Sequence, residues 1–151
     1  MDMHLPPSRK RIAEVYGLAV LLALVLFFIQ LVMIFDVAGE VLRSRSWLRE
    51  ALGAKNAGKL IVLGSFFALM AVHAGQAALW GVFLHRTKLL QSVTEGVYFS
   101  AASVTTLGYG DILLKYPWRH IGTLIAITGV LMFGCSTAFL FLVLQSVWQH
   151  S

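Results

Sequence analysis

Thr105-Thr106-Leu107-Gly108-Tyr109-Gly110-Asp111 is a short, polar, glycine-punctuated stretch between two long apolar segments. A dehydrated cation needs oxygens in place of its water, and backbone carbonyls supply them when successive ones face a common axis. An ordinary strand alternates its carbonyl directions. Turning them one way needs unusual backbone angles at alternate residues, and glycine reaches positive φ without a Cβ penalty. Gly108 and Gly110 alternate as that geometry requires. The oxygens expected to bind an ion are the carbonyls of Thr106, Leu107, Gly108 and Tyr109, with Gly110 closing the stretch and the Thr106 hydroxyl added at its inner end. The competing reading is a glycine turn that binds nothing.

The composition decides where such a stretch sits. The chain has 151 residues, 58% of them hydrophobic and 13% charged, against about 25% charged in soluble domains. It therefore reads as an integral membrane protein with room for three or four spans. In a soluble chain the net charge of +5 would suggest nucleic acid as partner. Here the basic residues flank apolar runs, where membrane proteins place them. The single cysteine, Cys135, lies in an apolar run and excludes an intrachain disulfide. No metal-ligand spacing, nucleophile–base arrangement or phosphate loop is present, so an enzyme finds no support and no cofactor is expected.

In chain order, residues 1–11 read as a polar tail and residues 12–35 as a first span, roughly 36 Å long and too long for the apolar core of a signal peptide. It carries no repeated Arg or Lys and so is not a voltage sensor of the usual kind. Gln30 is its one deep polar residue. In residues 36–58, Val37, Val41, Leu48 and Leu52 recur at helical spacing with Arg43, Arg45, Arg49 and Glu50 on other faces. That pattern predicts an amphipathic connecting helix on the membrane surface, ended by Gly53 and Asn56-Ala57-Gly58. Residues 60–84 form a second span. His73 and Gln76 within it share a face: a packing histidine with its hydrogen bonds satisfied is the plainer reading, proton sensing the sharper one.

Residues 92–104 are too short to cross, roughly 18 Å, and Ser92-Val93-Thr94-Glu95 is a capping box. A helix that stops at mid-membrane is tolerated only when protein surrounds it. The negative end of its dipole, directed at residues 105–111, favours a cation there. A return loop follows, with Trp118, Arg119 and His120 at the interface, then a last span over 121–147 and a short tail at 148–151. Gly122, Ala126, Gly129, Gly134 and Ala138 in that span are small residues that let helices approach closely.

The order span, half-span helix, glycine stretch, span over residues 60–147 resembles the pore domain of the potassium channel superfamily, and Glu95-Gly96-Val97-Tyr98-Phe99-Ser100-Ala101-Ala102-Ser103-Val104 leading into 105–111 resembles its pore helix and selectivity filter. Leu107 stands where Val is commonest. Small bacterial one-pore-loop channels are the nearest likeness. The resemblance implies an all-α membrane protein of three transmembrane helices plus a re-entrant helix. It implies a homotetramer in which four copies complete one potassium-selective filter, with residues 121–147 lining the inner cavity, residues 60–84 facing outward and the first span peripheral. K+ would be the permeant ion, held at Thr106, Leu107, Gly108 and Tyr109. The filter would be supported by Thr105, by Tyr98 and Phe99 packing against the Tyr109 ring, and by a Tyr98 hydroxyl bonded to Asp111. Gly129 aligns with a gating hinge, and Gly134 with a second small position. Ala102 stands where some relatives carry a Glu paired with the Asp. A nonselective cation channel on the same scaffold, or a non-conducting adaptor subunit using residues 1–59, are the alternatives.

In the likeness the filter loop enters from outside, which puts the N-terminus outside and residues 36–59 and the C-terminus in the cytoplasm of, as expected, a bacterial inner membrane. Seven basic residues (Arg9, Lys10, Arg11, Arg86, Lys88, Lys115 and Arg119) then lie outside and five (Arg43, Arg45, Arg49, Lys55 and Lys59) inside. Charge alone leans towards the inverse, and the filter decides against it. A protease added to the outer face is expected to remove a tag fused to the N-terminus; full protection of the tag would reverse the orientation.

Overall fold

The computed structural model describes residues 7–149 as four helices and, among them, no strand. They are α1 (Arg9–Leu52), α2 (Ala54–Arg86), α3 (Val93–Val104) and α4 (Arg119–Trp148). Most of the expected tail at 1–11, and the last two residues of that at 148–151, lie outside the described residues. Three helices, α1, α2 and α4, are long and apolar enough to cross a membrane.

The first departure from the sequence reading is α1, one helix of 44 residues and roughly 66 Å long. No break separates the span from the expected surface helix at 36–58. Between Phe35 and Leu52 there is no proline, and the single glycine, Gly39, is not enough to end a helix. The apolar stripe there is covered by the chain's own helices. Ile34, Val37, Ala38, Val41 and Leu48 pack against Ile61, Leu69, Phe139 and Val143. The chain reverses at Gly53, whose φ of 75° is left-handed. Asn56-Ala57-Gly58 lie inside α2, where Gly58 is the contact point for Val147 of α4.

At its other end α1 is pinned to the loops that flank the re-entrant segment. The Tyr16 hydroxyl donates to the Pro117 carbonyl at 2.5 Å, its ring stacks on Trp118, and Arg11 donates to the Thr87 carbonyl at 3.4 Å. The start of α1 and the loops on either side of α3 are thus on one side of the molecule. Along its length Val15, Ala19, Ala23, Leu26 and Gln30, at helical spacing, are buried. No Cα of α1 lies within 8 Å of one in α3, so α1 stands against α2 and α4.

In mid-membrane four side chains close a ring of hydrogen bonds across three helices. Gln30 of α1 donates to the Ser136 hydroxyl at 2.7 Å, and Gln76 of α2 donates to the Gln30 carbonyl at 2.8 Å. His73 Nδ1 meets the Gln76 carbonyl at 3.1 Å, and His73 Nε2 meets Ser136 Oγ of α4 at 3.0 Å. Polar groups in hydrocarbon must find partners within the protein, and these four find one another.

α3 is wedged against α2 through two glycines that sequence reasoning had not singled out. A Cβ on Gly81 would stand 2.5 Å from the Val97 nitrogen, and one on Gly96 would stand 2.6 Å from the Gly81 carbonyl oxygen. Backbone meets backbone there, and neither can give. By contrast, nothing lies within 4 Å of a Cβ added to Gly17. Gly81→Ala or Gly96→Ala should therefore destabilise the protein by about 1–3 kcal/mol through overpacking, whereas Gly17→Ala should be neutral or stabilise slightly through helix propensity. Thermal unfolding in detergent micelles checks the contrast.

Candidate functional site

The site begins at the first turn of α3. Ser92 Oγ accepts the Glu95 N–H at 3.1 Å, as the capping box requires. The Glu95 carboxylate reaches one residue further back than expected and accepts the Gln91 N–H at 3.3 Å. Held at that end, α3 runs to Val104, and its buried face of Gly96, Ser100 and Val104 is turned to its neighbours.

The other end of α3 passes directly into the glycine stretch. The last carbonyls of a helix have no partner within it. Here the backbone that follows supplies the donors. Thr105 N–H bonds the Ala101 carbonyl at 3.0 Å and Thr106 N–H that of Ser103 at 3.0 Å. Leu107 N–H at 2.9 Å and Gly108 N–H at 3.2 Å both bond the carbonyl of Ala102. In a planar trans peptide the N–H and the preceding C=O point opposite ways. Two successive N–H groups aimed at one oxygen therefore turn the carbonyls of Thr106 and Leu107 to the same side, away from α3. A strand would have alternated them.

The backbone angles agree. Gly108 (φ 55°) and Gly110 (φ 77°) are left-handed, and so is Thr106 at φ 57°, so the alternation extends one step further than glycine placement indicated. A β-branched residue pays for that conformation, and such strain persists only where the surroundings enforce it. Among the described residues no hydrogen bond is accepted by the carbonyls of Thr106, Leu107, Gly108 or Tyr109. The two threonines also divide their roles. The Thr105 hydroxyl donates back to the Ala101 carbonyl at 2.7 Å, whereas that of Thr106 makes no hydrogen bond among the described residues.

The outer end of the stretch is tied to α3 by the Tyr98 hydroxyl, which donates to Asp111 at 2.8 Å. That hydrogen bond holds the phenol above its ordinary pKa, so it stays a donor over the working pH range. Between α3, the stretch and α4 lies a cavity of about 420 Å³ reached by Tyr98, Phe99, Ala102, Tyr109 and Asp111. Tyr109 faces this space but makes no ring contact with Tyr98 or Phe99 within one chain, and it is 67% exposed. The expected aromatic packing is therefore not made within the single chain. Phe99 turns instead to α4, where a Cβ on Gly122 would stand 3.0 Å from its ring.

Gly129 is a contact position. A Cβ there would stand 2.8 Å from the Val104 Cα, so its lack of a side chain is needed to seat α4 on the end of α3. Gly134 meets nothing within 4 Å. The buried face of α4, with Ile121, Ile125, Gly129, Met132, Ser136, Phe139 and Val143, is turned to the chain's own helices. Ile127, Val130, Leu131, Phe141 and Leu142 on the other side are exposed.

Two spans and a re-entrant helix that delivers a row of unpartnered carbonyls define the pore-forming unit of an ion channel. The family model described as ion channel matches residues 59–146, and the chain belongs to that family, the two-transmembrane pore domain of potassium-channel type. The match leaves out all of α1. No curated protein and no solved structure matches this chain.

Tyr98→Phe removes the one side-chain link between α3 and the outer end of the stretch. If the stretch selects among cations, the variant's permeability ratio is expected to fall by roughly three- to tenfold, the worth of one net hydrogen bond, with its native mass unchanged. Permeability ratios measured beside an assembly assay check this.

Proposed function

We propose that this multi-pass membrane channel is a potassium-selective pore, conducting K+ passively down its electrochemical gradient through four copies of residues 105–111 around one axis. The observation that carries the reading is the same-side orientation of the Thr106 and Leu107 carbonyls, enforced by the doubly bonded Ala102 oxygen, within a sequence that keeps Gly108-Tyr109-Gly110 intact. One chain offers one row of oxygens. A ring that replaces an ion's hydration shell needs several rows, and closed symmetry of identical chains is the ordinary way to supply them. The exposure of Leu107 (55%) and Tyr109 in the single chain, and the apolar face of α4 left unpaired, support a homotetramer in which neighbouring copies cover these surfaces.

In that assembly K+ occupies the carbonyls of Thr106, Leu107, Gly108 and Tyr109, and the Thr106 hydroxyl adds the innermost oxygen. Thr105, Tyr98 and Asp111 hold the filter to its helix, and Phe99 holds that helix to α4. The close packing at Gly129 favours a bend of α4, if one gates the pore, nearer the uncrowded Gly134. The filter mouth and the start of α1 share one side, assigned here to the outside of a bacterial inner membrane, with the α1–α2 turn and the C-terminus in the cytoplasm.

Flux from proteoliposomes loaded with K+ or Na+ tests the proposal. K+ is expected to pass at least roughly tenfold faster than Na+, and Ba2+, a doubly charged ion that the same oxygens hold more tightly, to block. Equal K+ and Na+ flux would reduce the reading to a nonselective cation channel.

A further inference from the structure

The ring of Gln30, His73, Gln76 and Ser136 has a direction. Gln76 uses its NH2 group on Gln30, so its carbonyl oxygen is what faces His73 Nδ1, and an oxygen can only accept. Nδ1 must therefore carry the proton. In the neutral imidazole Nε2 is then a bare acceptor, and the Ser136 hydroxyl, already accepting from Gln30, has its own proton free to donate to Nε2. Gln30 donates to Ser136, Ser136 to His73, His73 to Gln76, and Gln76 to Gln30. Every link runs the same way round, and the ring closes only around a neutral His73.

An imidazolium cannot keep that one-way order. Both ring nitrogens become donors, so the Ser136 hydroxyl faces a second donor and its proton has no acceptor left in the ring. No countercharge stands by. Between Glu14 and Asp36 on α1, between Lys59 and His85 on α2, and between His120 and the end of α4, the only titratable side chains besides His73 are Tyr16 and Cys135. The described part of α3 adds Glu95 and Tyr98, both in its first half, toward the outer face. The one neighbour that tolerates the cation is the Phe133 ring, stacked 4.2 Å from His73.

The ring joins α1 by side-chain hydrogen bonds to the membrane interior of both α2 and α4. It grips α4 at Ser136, two residues beyond Gly134, which nothing crowds. We propose that the ring is a proton-operated clamp: neutral His73 locks α1 onto α4, and protonation of His73 opens the ring, frees the inner half of α4 and raises conduction. The clamp rests on the channel reading only for its last step. Its stabilising effect is present at neutral and higher pH and is lost as pH falls through the titration of His73.

The test pairs a functional readout with one that needs no conduction. In proteoliposomes the wild-type K+ flux is expected to rise by roughly tenfold between about pH 7.5 and pH 5, a usual size for coupling between two sites. His73→Gln, which cannot take up a proton, should stay at the neutral-pH level throughout. Ser136→Ala and Gln30→Leu, which open the ring without acid, should be high at both. A pH response that persists in His73→Gln, or a fall in flux on acidification, overturns the clamp. Independently, 15N NMR of histidine-labelled wild-type protein, with His73 assigned by its loss in His73→Gln, should show the Nδ1–H tautomer at neutral pH. On acidification it should show the imidazolium together with faster amide exchange in α1 around Gln30. An Nε2–H tautomer, or α1 exchange that ignores the titration, rejects the clamp. Should the wild type conduct at no pH, the channel reading falls, and the NMR result alone upholds or rejects the ring.

Discussion

Everything near the glycine stretch depends on one carbonyl, that of Ala102, accepting two successive N–H groups from Leu107 and Gly108. The peptide plane does the rest: fixing two N–H groups on one side fixes two C=O groups on the other. The helix end benefits as well, since its orphan carbonyls are satisfied by the stretch they organise. Unpaired carbonyls inside a membrane are costly, and this fold leaves a row of them. Such backbone is tolerated only where it is buried in protein or lines a water-filled cavity, and under the proposed function these oxygens line the path of the permeant cation.

Much of the surrounding architecture serves to hold that end of α3 still. Ser92 fixes its start, the Gly81–Gly96 contact sets it on α2, and Gly129 lets α4 close over Val104. Ala102 itself presents little bulk behind the stretch and leaves a cavity where some relatives are expected to carry a carboxylate. The tie to Asp111 comes from Tyr98 alone among the described residues. α1 belongs to the same unit although the family match omits it. It is bonded to the loops at one end, through Gln30 to Gln76 and Ser136 in the middle, and packed on an apolar cluster at the other end.

The sequence made the stretch at 105–111, the capped half-span helix and the three spans legible because each rests on local chemistry: glycine spacing, a capping box, and uninterrupted apolar length. Three features were hidden because they depend on pairing between distant residues. The amphipathic pattern of 36–58 is helical up to Leu52 but was assigned to the membrane surface, since periodicity reports a buried face without saying what buries it. Gly81 and Gly96 looked like unremarked glycines, and only their juxtaposition makes them a contact. His73 and Gln76 were seen to share a face, but Gln30 and Ser136 lie 46 and 60 positions away from Gln76 along the chain, and no local spacing signals a ring closed across three helices. The left-handed Thr106 was invisible for the opposite reason, since its residue type argues against the conformation it adopts.

The central claim is that residues 105–111 are one part of a ring that a single chain cannot complete. The native mass of the detergent-solubilised protein tests this most directly. The account predicts a particle of four 16.7-kDa chains, with the Tyr109 ring shielded by a neighbouring copy. A protein that is strictly monomeric or dimeric across detergents and in lipid nanodiscs would contradict it.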